Sequence, residues 1–417
     1  PGQPAQRPWP VCGPGFRHGF GICQTARQQT LNGWRMTAPK ALRIYAGPTA
    51  LAHLASHGLQ PADVGCIPAA AGGPKGLILG RLDRLIFGDW LAGSQHTVDL
   101  VGASIGAWRM ATACLSAPVA GFERLERDYI GQHYEPEPGR TMPSAAQVSA
   151  RFGASLQAFY GGRVDEVLNH PRYRLHIITS HGRHVLHRDG RWRTPLGYAG
   201  AFMANAIHRR ALGGWLERVV FSTCTPVPRS LPFSTHDIRT RQLALDAANF
   251  MPALQASCSI PFALLPVSNI PGAPAGCYWD GGITDYHMHL HYRPVTSAGE
   301  AADGDHPVAE RGASGAGLVL YPHFQQAVVP GWLDKSLKWR HRSTAALHRM
   351  VVLAPNPDWV RTLPNAKLPD RTDFTRYGQN LAARMQAWNT AVAESQRLAD
   401  EFARWLEHPD MALVQPL

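Results

Sequence analysis

The chain has 417 residues, 45% of them hydrophobic and 17% charged, with a formal net charge of +11. That composition excludes a disordered chain and permits a large core in one α/β domain or two smaller ones. Apolar runs such as Ile260 to Val267 fall far short of the roughly 20 residues a membrane helix needs, so no segment is predicted to span a bilayer.

Residues 1–35 carry Arg7, Arg17, Arg27 and Arg35 and no acidic residue, and they lack the apolar centre of a secretory signal. They are expected to form an extension outside the core, with an Arg-rich transit peptide as the alternative. Residues 36–417 are expected to form a single domain beginning at Met36. Leu42 to Tyr45 reads as a strand and Pro48 to His57 as a helix ended by Gly58. Val64 to Ala70 reads as a buried strand, followed by the turn Gly72-Gly73-Pro74-Lys75-Gly76 and a helix from Leu77 to about Phe87. Thr97 to Val101 is a second such strand, followed by a tight turn and a helix from Ile105 to about Leu115. Strand, Gly-rich turn and helix in repetition predict an α/β fold, a mostly parallel central sheet covered by helices on both faces.

Periodicity weakens over 121–170, which is expected to be either a cap inserted over the site or a plain surface excursion. Arg174 to Ser180 reads as a strand, Tyr198 to Arg218 as apolar and partly helical. Arg239 to Leu243 reads as an extended piece leading into a helix around Ala244 to Ser257. Tyr278-Trp279 ends a short strand, 297–316 is a flexible loop, and Gly317 to Tyr321 and Met350 to Ala354 are late strands. One long helix is predicted over Phe374 to Glu407.

Three segments carry chemistry. Gly102-Ala103-Ser104-Ile105-Gly106 matches G-x-S-x-G between a strand and a helix. That turn lifts a serine hydroxyl clear of the sheet at the positive end of a helix, with glycines where side chains would clash. The Gly72-to-Gly76 turn lacks the GxxxxGK[ST] spacing of a phosphate loop, which leaves an oxyanion hole or a loop without catalytic consequence. Asp280-Gly281-Gly282 offers a carboxylate, although Asp-Gly is also a common turn.

In this order the three segments resemble the patatin-like phospholipase family, which is similar in having a G-G-x-[KR]-G loop, a G-x-S-x-G serine and a distant D-G-[GA] aspartate. Ala256-Ser257-Cys258-Ser259-Ile260-Pro261-Phe262 resembles the A-S-x-A-x-P segment before that aspartate. The resemblance spans about residues 40–290. It implies a three-layer sandwich related to the α/β-hydrolases and a Ser–Asp dyad without a catalytic histidine. Ser104 would attack an ester carbonyl, while Asp280 takes its proton and later activates water. The N–H groups of Gly72, Gly73, Lys75 and Gly76 are the oxyanion candidates, and Pro74 shapes the loop. Lys75 sits at the family's basic position, to orient the loop or meet a lipid phosphate. A carboxylate with an ordinary pKa near about 4 is a poor base for a hydroxyl, so burial near Ser104 must strengthen or align it. Two departures are Ala71, where the family often has a third leading glycine, and the additional strand and helix over Leu42 to Gly58.

Asp285, His287, His289 and His291 alternate and could present imidazoles on one strand face, a zinc-like set. With 20 histidines in the chain a chance cluster is the adopted alternative, and neither metal nor cofactor is expected. A histidine completing a triad with Ser104 is the other option. The expected activity is hydrolysis of phospholipid, lysophospholipid or glyceride esters through an acyl-enzyme. The alternatives are an esterase, depolymerase or thioesterase for a non-lipid acyl group, and a silent lipid-binding protein of the same fold. No nucleic-acid motif accompanies the positive charge. Peripheral contact with an anionic membrane near Tyr198 to Arg218 is expected instead. Seven scattered cysteines without a CxxC pair point to a reducing, cytoplasmic setting.

Overall fold

The computed structural model describes residues 39–136, 138–139, 143–223, 230–293 and 317–417, so the expected extension 1–35 and loop 297–316 lie outside the described residues. Strand β1 is Leu42–Ala46 and helix α1 is Pro48–His57, opened by a proline at its first turn and capped by Gly58. Strand β2, Val64–Ala69, is buried throughout. The Gly-rich turn winds into a 3-10 segment, Gly73–Leu79, then α2, Gly80–Leu85, and a π-helical turn, Ile86–Trp90. A single helix was expected there, and three winding modes in series replace it. Strand β3, Val98–Gly102, leads through Ser104 into α3, Ile105–Ala113.

Helices α4, Pro118–Ile130, α5, Ala145–Tyr160, and α6, Val164–Leu168, occupy most of the stretch expected to be a cap or an excursion. Their rings Tyr129, Phe152 and Phe159 surround Trp108 of α3 at 6.1, 5.7 and 5.7 Å, so this stretch buttresses the helix behind the serine. Next come β4, Tyr173–Gly182, α7, Arg193–Ile207, β5, Leu216–Ser222, and β6, Thr240–Ala244. Helix α8, Phe250–Ser257, is shorter than expected, because Asp246 and Asn249 form a turn ahead of it. Short strands β7, Val267–Ser268, and β8, Cys277–Asp280, precede β9, Leu318–Pro322, and β10, Met350–Pro355.

After α9, Pro357–Val360, the long helix expected to the C-terminal side is three helices: α10, Thr372–Tyr377, α11, Leu381–Glu394, and α12, Gln396–Glu407. Gly378 ends α10, the Asn380 side chain caps α11, and the Ser395 hydroxyl bonds back to the Val392 carbonyl between α11 and α12. Strand β11, Val414–Pro416, closes the described chain.

The eleven strands of the described residues form one sheet, ordered β11-β1-β10-β9-β2-β3-β4-β5-β6, with β8 on β4 and β7 on β8. The central pairs β10–β9, β9–β2, β2–β3 and β3–β4 are parallel; antiparallel pairs β1–β10 and β4–β5 flank them, and the outermost pairs β11–β1 and β5–β6 are parallel again. β2, β3, β9 and β10 are buried along their whole length, as strands covered on both faces must be. The expected α/β class with a mostly parallel sheet flanked by helices therefore holds. Among the described residues no helix is long and apolar enough to cross a membrane.

Strand β4 positions the site. On one edge it pairs first with β3, Gly102 opposite Ile177, and then with β8, Asp280 opposite Thr179, while β5 holds the other edge. β3 and β8 thus run toward each other and end two positions apart on β4. At about 3.3 Å per residue that brings their last residues to roughly 7 Å.

Candidate active site

Ser104 sits on the turn between β3 and α3 with φ 56° and ψ −131°. A non-glycine residue held there is strained, and the surroundings must fix it. They do so by close approach: a Cβ on Gly106 would lie 2.1 Å from the Ala69 carbonyl oxygen, and one on Gly102 would meet the Ala107 backbone at 2.6 Å. The Ser104 N–H donates to the Ser257 hydroxyl at 2.9 Å, which in turn donates to the Ile178 carbonyl of β4 at 2.7 Å. Behind the turn, Arg109 of α3 forms a buried bidentate pair with Asp83 of α2, both bonds 2.7 Å.

Asp280 is the last residue of β8 and is buried. Its N–H donates to the Ser259 carbonyl at 2.9 Å, and its Oδ1 accepts the Gly282 N–H at 2.7 Å. Gly281 is needed for this approach, since a Cβ there would lie 2.0 Å from the Ile178 carbonyl oxygen. Burial pushes the Asp280 carboxyl up to about 6, against the opposing influence of the nearby Ser104 hydroxyl, the Arg371 charge and the Gly282 N–H. The residues flanking Cys258 hold both partners: Ser257 ties down the serine turn and Ser259 the aspartate strand.

The Gly72–Gly76 turn leaves the carboxyl end of β2 beside the serine turn, Ala69 being paired with Gly102. Its entry is anchored by the Ala71 N–H on the Tyr286 carbonyl at 2.9 Å. Gly73 has φ +57°, a conformation that favours glycine. Because a 3-10 segment starts at Gly73, its i→i−3 bonding engages the N–H groups from Lys75 onward. Of the four expected donors, Gly72 and Gly73 remain available, while Lys75 and Gly76 are drawn into the helical ladder. The Ala71 methyl faces Gly282, where a Cβ would come within 2.5 Å of it.

Gly72, Lys75, Ser104, Asp280 and Gly282 line one cavity of about 200 Å³. No protein-family model matches the chain, and no curated protein matches it. Among solved structures the chain is similar to VipD from Legionella pneumophila, at TM-score 0.33 and 12% identity over 90% of this chain and 73% of that one. The site stands on its own geometry.

Three cations, Lys75, Lys335 and Arg371, face that cavity, and among the described residues none of them forms an ion pair. The carboxylate of Asp370 also lines it but is held by Lys367 at 2.6 Å. Burial, offset in part by Asp370, draws the Lys75 ammonium below its usual range. Lys335 is lowered by burial and then by repulsion from Lys75 and Arg371. Lys335 and Arg371 lie outside every motif, as does the packing of Lys75 over the Phe324 ring at 5.4 Å.

The histidine cluster is used elsewhere. Asp285 pairs with the fully buried Arg218 at 2.6 and 2.7 Å, which also holds Asp237. His287 is buried and kept neutral, and His289 spans the Val328 carbonyl and the Thr344 hydroxyl, each at 2.8 Å. Among the described residues lining the cavity there is no histidine.

Proposed function

We propose that this protein is a serine acyl ester hydrolase that works through an acyl-enzyme with Ser104 as nucleophile and Asp280 as base. One observation carries the reading: a serine on a strained strand-to-helix turn and a buried aspartate whose carboxyl is pushed up to about 6 line one cavity beside Gly72. Such a pKa lies near neutral pH, where a general base is most effective. The Ser104 oxygen attacks the ester carbonyl and its proton passes to Asp280. The tetrahedral oxyanion is met by the N–H groups of Gly72 and Gly73, each such donor being worth about 3 kcal/mol or more in the transition state. Collapse expels the alcohol, which takes the proton from Asp280. The carboxylate then accepts a proton from water as that water attacks the acyl-enzyme, and passes it to the Ser104 oxygen as the second tetrahedral intermediate collapses, releasing the acid and restoring both groups.

The ordered motifs that resemble the patatin-like phospholipases support a lipid ester as substrate. The convergence of Lys75, Lys335 and Arg371 favours a phosphate-bearing ester, phospholipid or lysophospholipid, over a neutral glyceride. A fluorophosphonate probe tests the chemistry. Wild type is expected to be labelled on Ser104, and Ser104→Ala to lose both the label and hydrolysis of a soluble ester. Labelling unchanged by Ser104→Ala, or absent from wild type, overturns the reading.

A further inference from the structure

Helix α7 is apolar on two opposite faces. At about 100° per residue, Thr194, Gly197, Tyr198, Ala201 and Asn205 fall on one side, and all five are buried. Trp192, which caps the helix, and Leu196, Met203 and Ile207 fall within an arc of about 60° on the other side. They are 71%, 66%, 60% and 81% exposed. A surface helix ordinarily presents charged residues there, and α7 contains no acidic residue at all. The basic and apolar region expected over Tyr198 to Arg218 is thus divided by the fold. Tyr198, Leu212 and Leu216 go to the core, while the exposed apolar residues form a stripe that begins earlier, at Trp192.

The surroundings say what covers that stripe. Arg188, Arg191 and Arg193 stand at the start of α7, and His208 and Arg210 follow its end, all exposed. At that same end Arg340 donates to the Ala206 carbonyl at 3.3 Å, beside the exposed Trp339 and Lys338. The buried face of α7 packs in the cluster that contains Ile283 and Trp332, two residues of the cavity wall. Phe262, 62% exposed, packs its ring 6.0 Å from Tyr198 and directly follows Ile260 and Pro261, which also line the cavity. An apolar stripe with cations at both ends and exposed tryptophans complements a bilayer surface carrying anionic lipid.

We propose that the outer face of α7, with Trp192, Leu196, Met203 and Ile207, is a docking surface for an anionic lipid bilayer and brings the cavity to its substrate. The role of the cavity in this rests on the hydrolase reading; the docking itself does not. The test is flotation of the full chain with vesicles of phosphatidylglycerol and phosphatidylcholine, against phosphatidylcholine alone. Wild type and Ser104→Ala are expected to bind the anionic vesicles equally, at least tenfold better than the neutral ones, and less in high salt. The triple variant Leu196→Ser/Met203→Ser/Ile207→Ser is expected to lose binding at least tenfold while hydrolysing a soluble short-chain ester at the wild-type rate. A triple variant that binds like wild type overturns the proposal. So does sedimentation showing that wild type is a dimer and the triple variant a monomer, which would make the face a contact between copies of the chain. Loss of esterase activity in Ser104→Ala with binding intact separates the docking surface from the chemistry.

Discussion

Asp280→Asn is expected to stabilise the fold while removing its proposed chemistry. The wild-type carboxyl ionises near 3.8 in an unfolded chain and near about 6 in the folded protein, because burial penalises its charge. The folded state therefore holds its proton more tightly. The stability this confers is present below pH 3.8 and is lost as pH rises through about 6. Each pH unit between the two values is worth about 1.4 kcal/mol, so above pH 7 the ionised group costs about 3 kcal/mol. An asparagine of the same shape still accepts the Gly282 N–H and carries no charge. Thermal or denaturant unfolding of both proteins between pH 4 and pH 8 measures the difference. The advantage of Asp280→Asn is expected to be small at pH 4, to grow through pH 6 and to level off above it. An advantage independent of pH, or a variant less stable than wild type at pH 8, would refute the argument that burial raises this carboxyl.

Ser104→Gly is expected to be more stable than Ser104→Ala by about 1–2 kcal/mol in the same unfolding assay, because glycine relieves the strained φ and alanine keeps it. Gly281→Ala is expected to lower stability by about 3 kcal/mol and abolish ester hydrolysis, since its Cβ would lie 2.0 Å from the Ile178 oxygen and force β8 off β4. Lys335→Ala is expected to raise KM about fivefold for a phosphate-bearing ester and leave KM for a neutral ester unchanged, as for the loss of about 1 kcal/mol at an exposed charge.

What the sequence revealed depended on how locally each feature is encoded. The turn at Ser104 and the loop at Gly72 are strand-turn-helix units a few residues long, so their glycines and apolar flanks announce them. The placement of Ser104 and Asp280 on one cavity is different. It depends on Gly102 and Asp280 pairing with Ile177 and Thr179 of β4, a register no local pattern expresses. Only the resemblance of the ordered motifs joined the two. Strand β5 was hidden because Glu217 and Arg218 interrupt its apolar run; both are buried, and Asp285 and Asp237 compensate Arg218 from distant segments. The expected long helix kept its spacing across Gly378 and Ser395, so periodicity alone concealed the breaks. Lys335 and Arg371 were ordinary basic residues until folding turned them toward one cavity. Ser257 stood in a recognised segment, but its bond to the Ser104 N–H needed the folded turn to be visible.

The pH dependence of kcat/KM for a soluble ester, wild type against Asp280→Asn, bears most directly on the proposed Ser104–Asp280 partnership. The wild-type rate is expected to rise with pH through about 6 as Asp280 ionises, and Asp280→Asn to lose roughly 100-fold or more together with that rising limb. An Asp280→Asn protein that retained both the rate and the rising limb would contradict that partnership.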